Sequence, residues 1–273
     1  MPGLLSLGFS PCPNDTFIFY ALVHGLLGGE RLFAEPVLED VEQLNRWALE
    51  RRLQVTKMSF HAYGHVRGDY HLLGCGGALG RGCGPLLVAR PGTTLEKVRR
   101  GPVAIPGSLT TAALLLKMYL PEGVETVEMR FDRIVEAVAG GEVEGGVIIH
   151  ESRFTYAQQG LTCLRDLGQW WEESCDLPLP LGCIVARRDL GEETLRAVEE
   201  AIGASLDYAW SHPQEPLAYI RQHSQELDEA VVNSHISLYV NEFSRDYGEE
   251  GRRAIATFLE RAVRLGALPP QGG

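Results

Sequence analysis

Leu4-Leu5-Ser6-Leu7-Gly8-Phe9-Ser10-Pro11-Cys12-Pro13-Asn14-Asp15-Thr16 sets the pattern on which the rest of the chain is read. Leu4 to Gly8 is a short apolar run and predicts a strand. Ser10-Pro11-Cys12-Pro13 is a stiff turn, because each proline fixes its own φ. Asn14 and Asp15 then offer N-cap oxygens to an apolar helix from about Thr16 to His24, with Gly25 as its stop. Strand, tight turn and helix in that order form the repeating unit of an α/β sheet. The turn falls where such sheets collect ligands, beyond the carboxyl end of the strand. Unpaired amides and the helix dipole there attract an anion, although plain N-capping accounts for the same residue types.

The unit recurs downstream. A strand over residues 35–38 precedes a helix capped by Asp40, and residues 54–59 form the next strand, followed by a short helix within 61–70. After a glycine-rich stretch from Gly74 to Gly84, Pro85 to Ala89 is an apolar strand ended by the Pro91-Gly92 turn. A second series follows: strand 103–105, helix 110–119, strand 126–131, helix 132–139 and strand 146–149. Leu181 to Ala186 is a strand that returns the chain to the first series. Residues 192–267 read as helix, with breaks near His212-Pro213 and Gly248. The pattern predicts parallel-rich sheets covered by helices. The boundaries expected are a larger domain of 1–90 and 187–273 and a smaller one of 91–186, with a cleft between them.

With 273 residues the chain has room for two domains and a core that needs no disulfide or metal staple. The formal charge is -11, and the longest basic runs are pairs such as Arg51–Arg52 and Arg252–Arg253, so no nucleic-acid partner is expected. The opening residues lack a basic segment followed by a long apolar one, which predicts no signal peptide and a cytoplasmic protein. No apolar run approaches a membrane span, so no stable membrane association is expected; an oligomer is allowed. None of the six cysteines forms a Cys-x-x-Cys pair, which argues against a zinc or redox motif and for reduced thiols.

Four strand ends carry polar residues suited to chemistry. Ser10 and Asn14 belong to the first turn. Lys57-Met58-Ser59 ends the third strand, where a lysine can neutralise a carboxylate and a hydroxyl can donate; a solvent-facing lysine is the plainer reading. Gly107-Ser108-Leu109-Thr110-Thr111 surrounds a helix start with hydroxyls and amides, but lacks the Gly-Lys-Ser/Thr ending of a phosphate loop. Gly145-Gly146-Val147-Ile148-Ile149-His150-Glu151 delivers a histidine, a candidate general base, to the end of a buried strand; a structural histidine is the alternative. His61 and His65 have metal-ligand spacing and His71 lies near, yet no His-Glu-x-x-His pattern or clear third ligand appears. The glycines from 74 to 84 do not satisfy Gly-x-Gly-x-x-Gly and precede a strand, which predicts a crossover or cleft-lining loop.

At these same segments the chain resembles the 1,4-dihydroxy-6-naphthoate synthases of the futalosine route to menaquinone. Gly8 to Phe19 carries the most specific match, supported by Leu38-Glu39-Asp40-Val41-Glu42, Thr56-Lys57-Met58-Ser59, Thr110-Thr111 and Ile148-Ile149-His150-Glu151-Ser152-Arg153. The resemblance implies a two-lobed, type II periplasmic-binding-protein-like α/β fold that is not exported. It implies a lyase that converts cyclic dehypoxanthine futalosine to 1,4-dihydroxy-6-naphthoate and releases a sugar-derived fragment, with no cofactor and no metal. It makes His150 the base, and Lys57, Met58, Ser59, Thr110 and Thr111 the substrate contacts, with Met58 standing where leucine is expected. The rival expectations are chorismate dehydratase of the same pathway and a non-catalytic binder of a small carboxylate.

Overall fold

The computed structural model describes residues 3–29, 31–224 and 228–270. Two mixed sheets organise them. The first contains β1 (Leu7–Phe9), β2 (Val37–Leu38), β3 (Val55–Ser59), β4 (Tyr70–Leu72), β5 (Ala78–Gly80) and β11 (Leu179–Arg187), in the order β2-β1-β3-β11-β4 with β5 also on β11. The second contains β6 (Leu86–Ala89), β7 (Val103–Ile105), β8 (Thr126–Glu128), β9 (Gly145–Ile148) and β10 (Thr162–Asp166), in the order β10-β6-β9-β7-β8. The βα-series strands pair in parallel, β1 with β2 and β3, and β7 with β8 and β9. The returning β11 is antiparallel to its three neighbours, and β6 is antiparallel to β9 and β10. Every residue of β1, β3, β6, β7 and β9 is buried, which is why these strands read as apolar runs instead of alternating ones.

Helices follow the strands as the βα pattern requires: α1 (Pro13–Val23), α2 (Val41–Leu49) and α3 (Phe60–Val66) after β1, β2 and β3. In the second sheet α4 (Leu95–Arg100), α5 (Thr111–Tyr119), α6 (Ile134–Gly140), α7 (Ser152–Thr155) and α8 (Leu167–Cys175) follow β6 to β10. The helical tail is α9 (Glu192–Ser211), α10 (Leu217–His223), α11 (Glu229–Tyr239), α12 (Glu242–Arg245) and α13 (Gly248–Arg264). It breaks at His212 and before Gly248 as expected, and also at Val240-Asn241, where Asn241 builds a capping box for α12.

Several expectations need correction. The first helix starts at Pro13 with Cys12 at its N-cap and no side-chain cap; Asn14 and Asp15 lie inside its first turn. Proline is favourable at N1, and the Asp15 carboxylate is engaged elsewhere. The sheets also divide the chain differently. β6 belongs to the second sheet although it precedes residue 90, and β11 to the first although it mostly precedes 187. The Pro91-Gly92 turn is a connection inside the second sheet, between β6 and α4. The glycine-rich stretch holds a strand, β5, and residues 162–175 hold β10 and α8, which lack clear periodicity because β10 is a half-exposed edge strand.

The largest apolar core bridges both sheets, with Met58 of the first in one cluster with Leu87 and Ile105 of the second and with the helix residues Phe60, Leu115, Trp171 and Phe258. Smaller cores lie under α1, α9 and α10 and between the second sheet and α6. The first connection between the sheets, from β5 to β6, packs backbone to backbone on the first turn of α8. A Cβ on Gly84 would sit 2.2 Å from the Gly168 Cα, so no side chain fits between them. The guanidinium of Arg153 ties this connection to the end of β10, donating to the carbonyls of Gly82 and Gly84 and to the Asp166 carboxylate, the last at 2.7 Å. Among the described residues no helix is long and apolar enough to cross a membrane.

Candidate functional site

A cavity of about 90 Å³ lies between the two sheets, and Ser10, Asn14, Lys57, Met58, Ser59, Thr110, Thr111 and His150 all line it. Residues from four strand ends, spread from position 10 to 150, therefore face one space. Tyr239 of α11 and Leu181 of β11 complete part of its wall.

The turn after β1 is built around a saturated carboxylate. Asp15 accepts from the Ser10 amide at 3.2 Å, the Ser10 hydroxyl at 2.7 Å, the Asn14 side-chain amide at 2.8 Å and Lys57 Nζ at 2.7 Å. Lys57 also donates to the Gly76 carbonyl at 3.1 Å, and both members of the ion pair are buried. Lys57 is therefore not solvent-facing; its charge is balanced and one ammonium N–H remains. Asn14 is oriented from behind, since Nε2–H of His235 donates to its Oδ1 at 2.9 Å while its Nδ2 serves Asp15. Burial holds the His235 imidazole well below its usual pKa, so it stays neutral, and its Nδ1 has no partner among the described residues. Met58 is fully buried core. Ser59 accepts from Asn45 Nδ2 at 3.1 Å and keeps its own O–H to donate.

The turn after β7 works differently. Thr110 caps α5: its hydroxyl donates to the Gly107 carbonyl at 2.7 Å and accepts from the Ala113 amide at 3.2 Å. Thr111 donates to the Leu181 carbonyl at 2.7 Å. Both hydroxyl protons are thus spent on the backbone, and the first two amides of α5, those of Thr111 and Ala112, have no acceptor among the described residues. Anion attraction at this turn comes from those amides and the helix dipole. Gly107 has φ +137, and a Cβ there would lie 2.4 Å from the Glu42 carboxylate, which accepts the Leu109 amide at 3.1 Å. Burial raises the Glu42 carboxyl to about 7, against the smaller opposing effects of that amide and of Arg46.

His150 follows β9 in the left-handed backbone region, φ +55, which is uncommon for a residue with a Cβ. Its ring is half-buried, edge-on to Phe131 at 5.0 Å and parallel to the His235 ring at 6.1 Å. Burial lowers its pKa, with the Glu151 and Asp15 carboxylates partly opposing, so the imidazole is neutral near pH 7 and able to accept a proton. Cys12 Sγ lies 3.5 Å from Nδ1. Burial, aided by Glu151, pushes the Cys12 thiol up, so it remains protonated.

His61 and His65 approach within 5.4 Å but meet no third ligand among the described residues. His61 Nδ1 is taken by the Thr110 carbonyl, and burial lowers its pKa to about 4. Sequence reasoning missed Asp15 as the partner of Lys57, and missed Glu42 and His235 altogether. A charged residue inside an otherwise apolar buried strand, as in Val55-Thr56-Lys57-Met58-Ser59, was the available signal for a buried counter-ion. His235 lies 221 positions from Asn14 and offers no local signal.

The sequence model of a family described as menaquinone biosynthesis matches residues 5–264. Over 267 residues the chain is 58% identical to a 1,4-dihydroxy-6-naphthoate synthase of Thermus thermophilus, covering 97% of this chain and 96% of that one. It is 44% identical over 273 residues to a protein of the same name from Streptomyces coelicolor, covering 98% and 96%. Among solved structures, an Archaeoglobus fulgidus protein superposes with a TM-score of 0.90 at 36% identity, covering 97% of this chain and 98% of that one. The alkanesulfonate-binding protein SsuA of Xanthomonas axonopodis pv. citri superposes with a TM-score of 0.75 at 12% identity, covering 98% and 95%. The fold is that of the two-lobed periplasmic binding proteins.

Proposed function

The chain belongs to the menaquinone-biosynthesis family, and on that premise we propose that the cavity between its lobes is where it acts as a 1,4-dihydroxy-6-naphthoate synthase. It is a carbon–carbon lyase acting on cyclic dehypoxanthine futalosine. The observation that carries the site assignment is the convergence of a neutral imidazole and two anion-attracting turns on one space.

In this reading the α5 amides and the remaining N–H of Lys57 hold the substrate carboxylate, and Ser59 donates to an oxygen. Asn14, locked by His235, orients the bound molecule. The Nδ1–H of His150 points to Cys12 Sγ, which leaves the other ring nitrogen free to take the proton. The electron pair released breaks the bond to the sugar-derived fragment, and aromatisation of the product ring drives the step. Glu151 steadies the imidazolium that forms. The lobes are 1–84 with 179–273, and 85–178, which keeps each sheet whole. A cavity of about 90 Å³ is smaller than the roughly 300–1,000 Å³ of most small-molecule sites, so the lobes part to admit substrate and close to exclude water. The chain carries a net charge of -11, so a small anionic partner in a cytoplasmic setting depends on the local Lys57 ammonium and helix-start amides.

Replacing His150 with Asn, which tolerates the left-handed backbone, is expected to lower turnover by about 10²–10⁴-fold with unchanged circular dichroism. Near-normal turnover in His150→Asn and His150→Ala would remove this residue from the mechanism. Enol-ether product from chorismate would reassign the chain to the dehydratase. Tight calorimetric binding of unaltered ligand with no product would make it a binder.

A further inference from the structure

We propose that Cys12, His150 and Glu151 form a binding site for a divalent cation of the zinc class, and that filling this site silences the His150 imidazole. The silencing half rests on the proposed role of His150; the site itself does not.

One donor atom from each residue, a thiol sulfur, a ring nitrogen and a carboxylate oxygen, lies within 4.8 Å of the others. The Cys12 Sγ to His150 Nδ1 distance is 3.5 Å. In a tetrahedral zinc site, bonds of about 2.3 Å to sulfur and about 2.0–2.1 Å to nitrogen separate those two ligand atoms by about 3.5 Å, so the pair needs little movement to share an ion. A sulfur–nitrogen–oxygen donor set favours zinc over magnesium or calcium, which take oxygen ligands.

A second observation points to a cation. Glu151 is 6% exposed as a residue, its carboxylate has no hydrogen-bond donor among the described residues, and its oxygens keep contact with solvent, which leaves them open to an ion. A carboxylate held beside a thiol and an imidazole without a protein donor of its own is free to take the third ligand position. Neither nearby cation bonds to Glu151: Lys57 donates to Asp15 and Gly76, and Arg153 to Gly82, Gly84 and Asp166. Three protein ligands leave the fourth position for water or a substrate oxygen.

Binding transfers the Cys12 thiol proton to solvent and places the thiolate on the ion. A neutral imidazole has one in-plane lone pair. Once Nδ1 gives it to the ion, the proton sits on Nε2 and no ring nitrogen is left to accept another.

The test uses the full chain freed of metal by chelation, with Zn²⁺ and Co²⁺ as probes. Calorimetry is expected to show one tight Zn²⁺ per chain, and Co²⁺ a sulfur-to-metal charge-transfer band. Cys12→Ser should abolish the band and weaken Zn²⁺ binding at least tenfold, and Glu151→Gln should weaken it with the band retained. Zn²⁺ should suppress turnover along the same saturation curve, with recovery on adding chelator. No band, or a band that persists in Cys12→Ser and so arises from the exposed Cys163, overturns the site. A Cys12-dependent band with undiminished turnover keeps the site and overturns the silencing, and with it the assignment of His150 as base.

Discussion

The turns after β1 and β7 share one grammar and are built in opposite ways. Each is an apolar strand, a Pro- or Gly-shaped kink, a hydroxyl residue and an apolar helix, and both face the same cavity. After β1 the helix start has no side-chain cap, and the polar side chains are free to build a buried charge network around Asp15. After β7 the hydroxyls cap and brace, and the first two backbone amides of α5 are left without an acceptor among the described residues. A helix start has a limited set of donors; whichever of them capping consumes, the others remain for function.

The largest test of this contrast removes the lysine of the first turn. Lys57→Ala leaves the Asp15 carboxylate buried without its cation, and should cost about 3–5 kcal/mol in denaturant unfolding. Adding Asp15→Asn to that variant should restore much of the loss. A cost below about 1 kcal/mol for Lys57→Ala would mean that the first turn is not organised by charge.

Glu42 sharpens the second turn, because its carboxylate holds the Leu109 amide while standing near 7. The folded state binds this proton more tightly than the unfolded chain, whose carboxyl titrates near 4.5. The group therefore costs nothing at low pH, and its contribution becomes destabilising as pH rises from about 4.5 through 7, then levels off. Glu42→Gln keeps an oxygen for the Leu109 amide and removes the slope. Its stability relative to the parent should improve by on the order of 1–3 kcal/mol between pH 4.5 and 8, read from unfolding midpoints across pH. An unchanged difference would place a charged carboxylate there throughout.

The smallest effect belongs to the cap. Thr110→Ala should lower unfolding stability by about 1 kcal/mol, and Thr110→Ser should recover most of it. Equal losses in both would show that the methyl group, not the hydroxyl, matters at this position.

What was legible in the sequence was local. The βα units, the Asp40 cap and the delivery of His150 to the end of β9 all follow from a few adjacent residues. Pairings between distant positions were not legible: Asp15 with Lys57 depends on β1 lying beside β3, and Asn14 with His235 on the docking of α11 against α1. The sheet to which β6 belongs was not legible for the same reason. Pro91-Gly92 is a strong turn signal, but a turn does not say which sheet its strands join.

The paired glycines at 84 and 168 let the β5–β6 connection lie directly on α8, and Arg153 fastens that connection to the end of β10. That guanidinium stands three residues beyond His150, on the helix that begins after it. The backbone that carries the imidazole is thereby tied, through one short helix, to the 82–84 connection and to the end of β10.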